Sequence, residues 1–70
     1  MKNKVFAEYV DLGYGGSARV EADAVEGVEV EFCVDYGARI VVNVGMDKDG
    51  VRTLHASLTK ALAAIAEGRR

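Results

Sequence analysis

The sequence predicts an α+β fold: a four-stranded, meander-like antiparallel sheet with one C-terminal helix packed on its apolar face. Three observations predict it. Between Ala18 and Asp35 apolar and polar residues alternate with a period of two, the mark of strands with one buried and one wet face. Glycine-bearing breaks at Gly13–Gly16, Gly27 and Gly37 divide the chain before Met46 into four runs rich in β-formers. From Val51 the period lengthens, and Val51, Leu54, Leu58, Ala61, Leu62 and Ile65 fall on one stripe of an amphipathic helix.

The first strand, about residues 4–12, alternates poorly. Val5, Ala7 and Tyr9 share one side, while Phe6, Val10 and Leu12 share the other with Glu8. Gly13-Tyr14-Gly15-Gly16-Ser17 is a flexible connection to the second strand, at about 18–25. In the third strand, about 28–35, Val28, Val30, Phe32 and Val34 point to the core, and Glu29, Glu31, Cys33 and Asp35 point to solvent.

A register follows for the central hairpin. A two-residue turn at Glu26-Gly27 would set apolar Val30 against acidic Asp23. A three-residue loop, Val25-Glu26-Gly27, instead pairs Ala24 with Val28, Ala22 with Val30 and Val20 with Phe32, and its last glycine suits a left-handed position. On the other face this register sets Asp23 opposite Glu29 and Glu21 opposite Glu31, pairs that destabilise a sheet. The next turn, Tyr36-Gly37-Ala38, pairs Val34 with Ile40, Phe32 with Val42 and Val30 with Val44, and places Asp35 opposite Arg39. The fourth strand spans about 39–44.

The helix is expected over about 48–67. Asp47 is its N-cap, Met46 and Val51 form a hydrophobic staple, and Gly68 is its C-cap. Arg69 and Arg70 follow at the negative end of its dipole. A fifth strand over Val51–Ala56 is the alternative, and the unbroken stripe favours the helix.

Composition bounds the rest. A chain of 70 residues is one domain, and one this short buries only about 60% of its unfolded surface. A net charge of −2 favours neither nucleic acid nor an anionic membrane. No apolar run reaches the roughly 20 residues of a membrane span, and the start lacks a secretory h-region. One cysteine fits a reducing compartment, so a cytoplasmic setting is expected.

Motifs for chemistry are weak. Gly13-Tyr14-Gly15-Gly16-Ser17-Ala18 has the letters of a dinucleotide fingerprint, but a strand pattern follows where the mechanism needs a helix. Asp47-Lys48-Asp49-Gly50 resembles part of a calcium loop and lacks the remaining ligands. His55, the only histidine, has Ser57 two residues on and therefore elsewhere around the helix, and Cys33 sits on the acidic face, whose surroundings disfavour a thiolate. No enzymatic role, cofactor or metal is expected.

Two surfaces remain. Glu21, Asp23, Glu29, Glu31 and Asp35 make an acidic sheet face, a flat negative array suited to a protein that grips phosphates with Lys and Arg. The fourth strand is an apolar edge at Ile40, Val41, Val42 and Val44, which invites pairing with a second copy as a homodimer. The expected function is a small protein-binding module, in one form an inhibitor of a nucleic-acid-handling complex of the kind phages use against restriction or CRISPR systems. It would bind a partner's basic nucleic-acid-binding surface, with no direct contact to nucleic acid or membrane. The alternative is an assembly subunit acting by homo-oligomerisation.

Overall fold

A computed structural model describes residues 3–68, with Tyr36 described in its backbone alone. Four strands, β1 (Lys4–Gly13), β2 (Gly16–Asp23), β3 (Gly27–Tyr36) and β4 (Ala38–Met46), precede one helix, α1 (Lys48–Gly68). The sheet order is β1-β2-β3-β4, antiparallel throughout. The predicted α+β meander with a C-terminal helix is the observed fold. Arg69 and Arg70, the expected cations at the helix end, lie outside the described residues.

The turns follow from local chemistry. Tyr14 and Gly15, with φ of 51° and 78°, form the two-residue, twist-matched turn between β1 and β2. The Asp11 carboxylate accepts the Gly13 N–H at 2.9 Å and tightens the approach to that turn. Between β3 and β4 only Gly37, at φ 74°, separates the paired residues Tyr36 and Ala38. The register there is the expected one: Val34 with Ile40, Phe32 with Val42, Val30 with Val44, and Asp35 with Arg39.

The β2–β3 register differs from expectation by two residues. Ala22 pairs with Val28, Val20 with Val30, Ala18 with Phe32 and Asp23 with Gly27. The three-residue loop is therefore Ala24-Val25-Glu26. Asp23 selects it: its Oδ1 accepts the N–H groups of Val25 (2.8 Å) and Glu26 (2.9 Å), closing the turn from its first residue. Its Oδ2 accepts the Asn3 N–H at 2.9 Å, and Ala24 N–H donates back to the Asn3 carbonyl at 3.0 Å. The start of β1 is thereby stapled to the central turn.

These registers set the apolar face in rows across the sheet: Phe6-Ala22-Val28-Met46, then Glu8-Val20-Val30-Val44, then Val10-Ala18-Phe32-Val42, then Val34-Ile40. Ala18 and Val30 in the middle are buried, while the β4 column is open, with Ile40 58% and Val42 51% exposed. Val5 and Leu12, which alternate poorly in the sequence, sit where the β1–β2 register shifts, and both are exposed.

The helix does not cover this face, and that expectation is corrected. From Arg52 to Gly68 every residue of α1 is exposed, including Leu58 at 56% and Ile65 at 73%. The cause is the length of β4. The strand runs on to Met46, so Asp47 alone connects it to α1, and one residue cannot turn a helix back over the sheet it leaves. Asp47 is the N-cap as predicted: its Oδ1 accepts the Gly50 N–H at 2.7 Å, and its carbonyl accepts the Val51 N–H at 3.1 Å. The Cα extents are 46 × 34 × 15 Å, longer than the roughly 34 Å of a ten-residue strand and one layer thick.

Candidate functional site

The predicted acidic face is a face of mixed sign. Its rows read Ala7-Glu21-Glu29-Gly45, then Tyr9-Arg19-Glu31-Asn43, then Asp11-Ser17-Cys33-Val41, with Asp35 beside Arg39. Glu31 therefore faces Arg19, not Glu21, and the Arg19 Nη2 stands 3.5 Å from its Oε2. Arg19 Nε lies 3.7 Å from Glu21 Oε2, and Lys4 Nζ donates to the same oxygen at 3.2 Å. The hydrogen bond from Lys4 is the main cause that lowers the Glu21 pKa below the ordinary carboxylate value, while Glu31 and then Glu21 raise that of Arg19. One like-charge pair remains, Glu21 with Glu29.

Asp23 leaves the candidate set. It is 4% exposed and accepts three backbone N–H groups. Those of Glu26, Val25 and Asn3, in that order, hold its carboxyl below the usual range. It builds a turn and offers no free carboxylate to a partner. Of the five predicted acidic residues, Glu29 and Asp35 are exposed, while Glu21 and Glu31 are half-buried beside Arg19.

The predicted oligomer edge is placed as an edge. β4 is the last strand of the sheet, with Ile40, Val42 and Val44 on the apolar face and Val41 on the other, all exposed. The sequence reading missed the larger surface to which they belong. Phe32 and the α1 stripe of Leu54, Leu58, Leu62 and Ile65 were assigned to one interior and are exposed on two separate surfaces, with Phe6 exposed on the sheet as well. The signal was present: a strand pattern running through Val44-Gly45-Met46 to the Asp47 cap leaves no connecting loop.

Where those surfaces begin, the packing is tight. Gly27, at φ 116°, lies against the β4–α1 junction, and a Cβ there would stand 2.3 Å from the Met46 carbonyl oxygen and 2.9 Å from the Asp47 Cα. Two shallow open notches border the sheet, one at this junction beside Glu26, Glu29 and Gly45, and one at the Tyr14 turn. Tyr14 itself is 93% exposed. β2 follows that turn where a phosphate-binding helix would have to start. His55 is exposed on α1, Cys33 is half-buried on β3, and no metal-ligating cluster occurs among the described residues. No helix among the described residues is long and apolar enough to cross a membrane. No family model, curated protein or solved structure matches the chain.

Proposed function

We propose that this chain is a non-catalytic assembly protein that works as a homo-oligomer. The observation that carries the reading is its excess of open surface, in which large apolar side chains stand exposed. The chain exposes 5466 Å², against about 4,200 Å² expected of a folded 7.5 kDa monomer. Its radius of gyration is 14.3 Å, against about 11 Å for a compact chain of this length. Among the side chains left open are those on the β4 side of the sheet face and along the length of the α1 stripe. Contiguous apolar surface of this kind marks an interface.

A second reading keeps the charged face as a docking surface for a basic protein. What favours it is Glu21 opposite Glu29, a like-charge pair on a face that otherwise matches its charges. Arg19 and Arg39 among the carboxylates make it the weaker reading.

Light scattering on a size-exclusion column, over a range of chain concentrations, tests the assembly reading. The expected mass is an integral multiple of 7.5 kDa that falls on dilution. A monomer at high micromolar concentration refutes it.

A further inference from the structure

We infer that the oligomer is a dimer made by reciprocal helix exchange, in which α1 of each copy lies across the apolar sheet face of the other. The inference rests on the assembly reading above and names the occupant of both open surfaces.

Three observations lead to it. The first is connectivity. With Asp47 as the whole connection, α1 continues away from β4, and contact with its own sheet is confined to the junction at Met46, Gly50 and Val51, which are half-buried. Short connections of this kind favour exchange of an element between copies over closure within one.

The second is fit. Along α1, Val51 to Ile65 spans about 21 Å at the helical rise. Along β3, the apolar rows from Val28 to Val34 span about 20 Å at the strand rise. One stripe is as long as the face it would cover. Glu8, the carboxylate within the apolar rows, stands on β1 at the far edge from the open β4 column. A helix laid over β3 and β4 avoids it.

The third is area. The surplus of about 1,200 Å² per chain over a compact monomer becomes about 2,400 Å² in a pair. That falls within the range of obligate homodimers and above ordinary transient contacts. Competing modes leave much of it open. Two sheets packed face to face leave the leucines of α1 in water, and two helices packed together leave Phe32, Ile40 and Val42 in water. Pairing through the β4 edge covers neither surface. A two-fold exchange covers both with one operation.

Disulfide capture tests the arrangement. In a Cys33→Ser background, one chain carries Leu54→Cys, Leu58→Cys or Leu62→Cys on the helix, and a second, tagged chain carries Val42→Cys on the sheet. The two are mixed in equal amounts, allowed to exchange, and oxidised. At least one helix position is expected to give a disulfide between unlike chains, in up to about half of the chains, the share of mixed pairs that random exchange yields. Val44→Cys serves as the sheet position should Val42→Cys fail to fold by circular dichroism. The absence of any disulfide between unlike chains at all the helix positions, whether or not like chains cross-link, overturns the exchange, while a dimer in light scattering leaves the assembly reading standing. A monomer in light scattering overturns both.

Discussion

Gly27→Ala is the sharpest single test of how the sheet holds its helix. Two penalties act at this position. The backbone φ of 116° lies where residues with a side chain are strained, a cost of about 1–3 kcal/mol. The new methyl would also stand 2.3 Å from the Met46 carbonyl oxygen, so turn and junction must separate by about 1 Å to restore ordinary contact. Forcing a closely packed site apart costs a similar amount, about 1–3 kcal/mol. The sum is about 2–6 kcal/mol, and for a domain of this size each kcal/mol lowers Tm by about 4–8 °C. Two other glycines separate the terms. Gly37 has φ 74° with nothing within 4 Å of a built Cβ, so Gly37→Ala bears the conformational penalty alone, about 1–2 kcal/mol. Gly45 has an ordinary φ and open space, so Gly45→Ala is neutral or stabilising by up to about 1 kcal/mol. Urea unfolding followed by circular dichroism, at one fixed chain concentration, ranks the three. If Gly27→Ala falls within about 0.5 kcal/mol of wild type, the ordinary range of surface changes, the turn does not pack against the helix junction and the reasoning fails.

Two further predictions concern the charged face. Glu29→Lys turns the Glu21–Glu29 repulsion into attraction and raises Tm, most at low salt, whereas Glu31→Lys opposes Arg19 and lowers it; equal responses from both variants would restore the register that places Glu31 against Glu21. The second prediction is acid sensitivity. Asp23 and Glu21 have pKa values below their unfolded ones, so the stability they contribute is complete above about pH 4.3 and is lost as pH falls through the lower folded values. Thermal melts stepped down in pH are expected to show a flat region and then a decline, smaller in Asp23→Asn; a variant that declines as steeply as wild type would remove Asp23 as a cause.

The charged face shows how far sequence alone reaches into the candidate site. Alternation assigned Glu21, Glu29, Glu31 and Asp35 to one face, and the structure keeps them there. Their neighbours across the strands were a different matter. A shift of two residues preserves which side chains face the core and changes every partner, so Arg19 replaces Glu21 opposite Glu31. Hydropathy is indifferent to that shift. What distinguishes the two registers is the Asp23 carboxylate, which closes the turn locally and also receives the Asn3 N–H from 20 residues away.

Element types, the faces of β2, β3 and β4, the β3–β4 register and the start of the helix were determined by the sequence itself. Each depends on groups within a few residues of one another: a period of two or of three to four, one glycine between paired strands, one aspartate capping three residues ahead. The placement of α1 was decided only by the tertiary structure. An amphipathic stripe states that a helix face seeks apolar cover, and hydrophobic burial is non-directional, so the stripe does not state whose surface provides it. That depends on how far β4 continues before the helix begins. Pairing with β3 carries β4 to Met46, and the single residue left is too short to return the helix to its own sheet.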